Sequence, residues 1–181
     1  LFWQEGELLV NRVSTRLQAD LELNRQQRTL SLNNALLDVN GLELDLKGTL
    51  RRDTVERAAD VDMQYSLHAP SLETVIGLIP QSILKKETLD AKGEVIVNGT
   101  LKGLYGKGHM PLATLTVNIN QASAHYEGMP YGIDEITADF FGQVDLTKRQ
   151  SSYADLKIFH FKGAHTDILA DARVDDLLGD P

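Results

Sequence analysis

The sequence predicts a mainly β protein: long antiparallel strands in a twisted, curled sheet, trough-like or sandwich-like, with one short helix near residues 71–79. Three observations carry this. Apolar residues recur at every second position over most of the chain, the breaks between these runs carry turn chemistry, and a single short stretch has helical period. Central strands of a parallel α/β sheet would instead be apolar on both faces.

The runs follow in chain order. Val13, Thr15, Leu17, Ala19, Leu21 and Leu23 alternate with mainly polar residues. Leu42, Leu44, Leu46, Gly48 and Leu50 alternate with Glu43, Asp45, Lys47 and Thr49. Val61, Met63, Tyr65 and Leu67 form the next run; Val95 with Val97, then Leu115, Val117 and Ile119, extend it. Ile136, Ala138 and Phe140 follow, and Ile168, Ala170, Ala172 and Val174 close the series. Successive side chains on a strand point to opposite faces, so each run predicts one greasy and one wet face. Turns are expected at Asn24–Arg28, Asn40-Gly41, Arg51–Thr54, Asn98-Gly99, Glu127–Pro130 and Lys162-Gly163. After Ala69-Pro70 the period changes: Ser71 suits a helix N-cap, Leu72, Val75, Ile76 and Ile79 share one helical face, and Pro80 ends it.

An internal echo accompanies the pattern. Leu17-Gln18-Ala19-Asp20 resembles Ile136-Thr137-Ala138-Asp139, and Leu36-Leu37-Asp38-Val39-Asn40-Gly41 resembles Ile158-Phe159-His160-Phe161-Lys162-Gly163. This reads as a strand–turn–strand–hairpin–strand unit used twice, in a single β-rich unit over 1–181 with repeat units 1–88 and 89–181.

Composition narrows the function. Lys plus Arg is 18 and Asp plus Glu is 26, a net charge of −8, which repels phosphate backbones and argues against nucleic acid as a partner. The absence of cysteine removes thiolate metal sites and thiol nucleophiles. No apolar run reaches the ~18–20 residues that span a bilayer. The opening Leu1-Phe2-Trp3 and the closing Leu177-Leu178-Gly179-Asp180-Pro181 read as a segment of a longer chain.

Chemistry-bearing patterns are sparse. His68, His109, His125, His160 and His165 form no HxxxH or HExxH pattern; His160 and His165 flank Lys162-Gly163 and read as solvent-facing strand residues rather than a metal pair. Gly103-Leu104-Tyr105-Gly106-Lys107-Gly108 lacks phosphate-loop spacing and reads as a flexible connection or hairpin. Asp60 and Asp62 fit the wet face of a strand, Asp175 and Asp176 lack a calcium-loop pattern, and the recurring Asp20 and Asp139 read as shared architecture. Asn98-Gly99-Thr100 is a formal glycosylation sequon at an expected turn. No enzyme activity, metal or cofactor is expected. The conspicuous feature is about ten to twelve strands of one-faced apolar sheet with one short helix to cover it. Such a face is buried in a sandwich or barrel, or lines a trough that holds a guest.

Three stretches resemble the AsmA family of Gram-negative envelope proteins, in particular its AsmA-like C-terminal region. They are the strand-to-helix passage Tyr65-Ser66-Leu67-His68-Ala69-Pro70-Ser71-Leu72 through Pro80, the strand pair Leu89-Asp90-Ala91-Lys92-Gly93-Glu94-Val95-Ile96-Val97-Asn98-Gly99-Thr100-Leu101-Lys102-Gly103, and the ending Ala170-Asp171-Ala172-Arg173-Val174-Asp175-Asp176-Leu177-Leu178-Gly179-Asp180-Pro181. The likeness spans nearly the whole chain. The membrane helix of a full-length member is not within it. The resemblance implies a periplasmic protein, anchored to the inner membrane through a segment outside this one, with a role in outer-membrane biogenesis. It implies phospholipid or another acyl-chain lipid as partner, carried along an apolar β-groove, beside the remainder of the parent chain. No catalytic residues come with it. On that reading the lipid-facing residues are Leu17, Leu21, Leu42, Leu44, Leu46, Leu115, Val117, Ile119, Phe140, Phe159, Phe161 and Ile168. Two alternatives stand beside it: a structural or protein-interaction scaffold assisting outer-membrane protein assembly with no lipid bound, and a carbohydrate- or ion-binding sandwich. Register is open at Leu156-Lys157-Ile158-Phe159-His160-Phe161, where both parities are apolar.

Overall fold

The computed structural model describes residues 2–4, 7–10, 14–77, 89–126 and 131–178. Strands β1 (Phe2–Gln4) and β2 (Glu7–Val10) form a two-stranded sheet of their own. The body is one nine-stranded antiparallel sheet: β3 (Thr15–Asn24), β4 (Thr29–Val39), β5 (Leu42–Asp53), β6 (Ala58–Ala69), β7 (Leu89–Tyr105), β8 (Leu112–Tyr126), β9 (Ile133–Val144), β10 (Tyr153–Gly163) and β11 (Thr166–Asp175). The strands lie side by side in chain order, so β3 and β11 are the two edges and the sheet does not close.

Turn chemistry sets these neighbours. Asn40 and Gly41 both take positive φ, 55° and 85°, as a two-residue turn of the mirror-image kind requires. Asp38 Oδ1 holds that turn by accepting from the Gly41 N–H at 2.9 Å. The Asn24–Arg28 turn is also found, with Arg28 at φ 53°. Three expected turns are corrected. Arg51–Asp53 belongs to β5 and the turn follows at residues 54–57, where Asp53 Oδ1 accepts from the N–H groups of Val55 and Glu56. Lys162 and Gly163 end β10, and the turn is Ala164-His165. Asn98 and Gly99 lie in mid-strand in the 17-residue β7, taking the sequon out of any turn. Glu127–Pro130, Val13 and Ile79–Pro80 lie outside the described residues.

The helix forms as α1 (Leu72–Gly77), with the Glu73 N–H donating to Ser71 Oγ at 3.2 Å. It packs on β6 and β7. The 3-10 turn at Arg149–Ser151 follows β9 and contacts it.

Strands β4, β8 and β10 change parity, and each carries a bulge where it does. On β4 the apolar positions run Leu30, Leu32, then Ala35, Leu37, Val39, and Asn33 is the extra residue. On β8 they run Val117, Ile119, then Ala122, Ala124, and Gln121 is extra, at φ 49°. On β10 they run Ala154, Leu156, then Phe159, Phe161, and Lys157 is extra. A one-residue insertion flips every later side chain, so the bulge at each switch returns the apolar set to one side. Gly93 faces the β8 bulge at φ 114°, where a Cβ would collide with the Ala122 main chain.

The stretches that echo each other fall in β3–β4 and β9–β10 and pair with a register offset of two: Leu17 pairs with Leu37, but Ile136 pairs with Phe161 rather than Phe159.

No sandwich forms among the described residues. Every extensive contact in the nine-stranded sheet is between strand neighbours, apart from α1 and the 3-10 turn. Among the described residues the buried hydrophobic side chains are Ala35, Ala58, Val61, Ala69, Ala91, Val95 and Ala122. The total accessible surface is 12683 Å², where a globule of this mass exposes about 8,700 Å².

Candidate functional site

The candidate site is the apolar side of the nine-stranded sheet. Directly opposed residues on adjacent strands face the same way, so the register assigns each side chain to a side. One unbroken row crosses all nine strands: Leu17, Leu37, Leu44, Leu67, Val97, Val117, Phe140, Leu156 and Ala172. A second runs beside it through Ala19, Ala35, Leu46, Tyr65, Gly99, Leu115, Gly142, Ala154 and Val174. Beyond these lie Leu21 opposite Leu32, and Leu42 opposite Val39. Ile119, Ala138 and Phe159 form a further row, as do Ile136, Phe161 and Ile168.

By this register Leu17, Leu21, Leu42, Leu44, Leu46, Leu115, Val117, Ile119, Phe140, Phe159, Phe161 and Ile168 lie on one side of the sheet. The bulge at Lys157 settles the ambiguous stretch: Leu156, Phe159 and Phe161 join the apolar side, while Ile158 sits opposite Asp139 on the other. Sequence reasoning missed Leu37, whose neighbour Leu36 made the parity ambiguous, and Tyr65, Leu67 and Val97, which carried the alternating signal.

One corner of this side is filled. Ala69 on β6 and Ala91 on β7, the strands that α1 packs on, are fully or nearly fully buried, as is Ala122 on β8. At the β3 edge the face is open, and Leu37, Leu44, Leu67, Val97, Val117, Phe140 and Leu156 are part-exposed along the row. Leu17, Leu21 and Leu23 are 68%, 59% and 62% exposed. At the other end of β6–β9, Val61, Leu101, Tyr105, Met110, Pro111, Ala113, Val144 and Leu146 line a recess of about 330 Å³, at the lower end of ligand-pocket volumes.

Tyr65 lies flat across Gly99. Its hydroxyl donates to the Thr114 carbonyl at 3.0 Å, two strands away. A Cβ on Gly99 would collide with the Tyr65 ring and the Thr114 carbonyl oxygen. Partial burial moves the Tyr65 hydroxyl pKa up from its usual value, keeping it a neutral donor.

The opposite side is polar. Arg51 meets Asp60 at 2.7 Å and Lys102 meets Asp62 at 3.4 Å, so both aspartates are on the wet side as expected. His68 bridges Glu94 at 2.8 Å and Glu43 at 3.8 Å across three strands. His160 does the same with Asp167 at 2.8 Å and Glu135 at 4.0 Å. His165 sits in the turn near the Tyr131 ring, so the two flanking histidines are not brought together. A second recess, about 480 Å³, lies mainly over this side, with Asn34, Asp45, Gln64, Asn98 and Thr116 in its lining. Thr100 and Thr114, also in it, hydrogen-bond each other at 2.8 Å.

The arrangement offers dispersion and hydrophobic contact over a wide area on one side and cross-strand ion pairs on the other. Among the described residues no group of three or more His, Asp or Glu side chains is placed to hold a metal ion. No family model, curated protein or solved structure matches the chain.

Proposed function

We propose that the apolar side of the sheet holds acyl chains, and that the protein works without catalysis as a phospholipid-carrying element of the cell envelope. The observation that supports this most is the row from Leu17 to Ala172, apolar at all nine strands and covered by no described element over most of its length. A sheet face of this kind has to meet something apolar in the working protein. An acyl chain suits it because the rows make no polar demand of their guest. Burial contributes about 0.8 kcal/mol per methylene. About ten methylenes therefore contribute about 8 kcal/mol, which exceeds the lower estimates, about 4 kcal/mol, of the cost of association. The periplasm, an inner-membrane anchor in the parent chain and a role in outer-membrane biogenesis complete the proposal, resting on the resemblance to AsmA proteins.

The test is native mass spectrometry of detergent-free protein, with solvent extraction of whatever is bound. Phospholipid or fatty acid at defined stoichiometry is the expected result. Leu44→Asp and Val117→Asp each place a carboxylate in the central row and should reduce bound lipid several-fold while the β circular dichroism persists. A protein that remains apo after incubation with phospholipid vesicles would sink the proposal.

A further inference from the structure

We propose that the β3 edge is a self-recognition strand, pairing antiparallel with the β3 of a second copy about a two-fold axis at Ala19. The inference stands apart from lipid carriage and starts from the main chain. The Ser14 carbonyl accepts from the Asn40 N–H at 2.9 Å. Ser14 and every second residue after it therefore turn their main-chain groups toward β4. Thr15, Leu17, Ala19, Leu21 and Leu23 turn theirs outward, and β3 is an edge of the sheet. A long edge without proline or a bulge on its own strand is a template for another strand.

Side chains choose the partner. With Ala19 opposite Ala19 of the second copy, Leu17 meets Leu21 twice on the apolar side and Arg16 meets Glu22 twice on the polar side. All five outward-facing residues find a hydrogen-bonded partner. Opposite charges directly across strands stabilise pairing and like charges oppose it. The other edge behaves in the opposite way: centred on Asp171, β11 would set Asp171 against itself and Asp167 against Asp175. A head-to-tail joint is also disfavoured. With nine strands in alternating directions, β3 and β11 run the same way and would meet as a parallel pair, which is slightly less stable per residue. The result is a closed dimer rather than a filament. A two-fold axis normal to the sheet keeps both apolar sides on one side of the dimer.

The chain contains no cysteine, so one introduced thiol reports cleanly. Hydrogen-bonded antiparallel partners sit about 5.5 Å apart at Cα, within disulfide range. Ala19→Cys should crosslink to a dimer under mild oxidation, and Ala172→Cys on β11 should not. Sedimentation of the cysteine-free chain should show a dimer. Glu22→Arg, which opposes Arg16 twice, should weaken it by about tenfold or more, and Arg16→Glu with Glu22→Arg should restore it. The dimer should persist with a mild detergent covering the apolar side, which dissolves face-to-face association. A monomer at every concentration, equal crosslinking at positions 19 and 172, or a Glu22→Arg protein that dimerises unchanged would each overturn the proposal.

Discussion

A glycine in the middle of a 17-residue strand needs a reason, and at Gly99 the reason is the tyrosine lying on it. The Tyr65 ring occupies the space of a Cβ, and its hydroxyl reaches the Thr114 carbonyl beyond. Gly99→Val should therefore destabilise the protein by about 3 kcal/mol through overpacking, despite valine's preference for strands, as read from urea unfolding. Asp145 acts at the turn after β9. Its carboxylate accepts from the N–H of Lys148 at 2.7 Å and of Thr147 at 2.9 Å, and from the Ser151 hydroxyl at 3.2 Å. Hydrogen bonding from the Lys148 N–H leads the causes that hold its pKa below the ordinary aspartate value. A lowered folded pKa means stability that is present above about pH 4, the unfolded value, and lost as pH falls through the folded one. The stability gap between the native protein and Asp145→Asn should accordingly close as pH drops from about 5 to about 2. A gap constant over that range would remove this role.

At the scale of elements, the bulges decide which side each strand shows. Lys157 is the clearest case, because Leu156 and Phe159 share a side only while the extra residue is there. Deleting Lys157 leaves β10 either with Phe159 and Phe161 on the polar side or with its first half inverted. A cost of about 3 kcal/mol or more is expected, with hydrogen exchange rising in β9–β11 and not in β3–β5. Uniform exchange across both meanders would contradict this. The same strands mark how far the sequence could be read. Runs of strict alternation such as Leu42–Leu50 indicate a strand and its apolar side without tertiary information. A parity switch looks the same whether a strand ends, slips or bulges, so Ile158-Phe159 stayed ambiguous. Asn98-Gly99 has turn composition, and the ring that makes it a strand comes from β6, more than thirty residues earlier. Whether the sheet would fold on a second one was also illegible, because alternation states that a face is apolar and not what covers it.

For the whole molecule, the open apolar side makes stability depend on what occupies it. A ligand that binds only the folded state adds about 2.7 kcal/mol at a free concentration of about a hundred times its dissociation constant. Thermal midpoints should thus rise by several degrees with a single-chain lysophospholipid, and stay put with the same headgroup lacking its chain. An equal rise with both would move recognition to the polar side and its Asn98–Thr116 recess. The neighbour-only order of the strands has a further consequence, for how such a sheet is made and how it changes length. As the chain leaves the ribosome, each new strand of this sheet finds its partner already waiting beside it, and none has to hold out for a distant one. A duplicated hairpin would widen the sheet by two strand spacings, about 10 Å, and leave the strands on either side of the insertion in their old register. Reach, in this architecture, is a quantity that gene duplication can set one hairpin at a time.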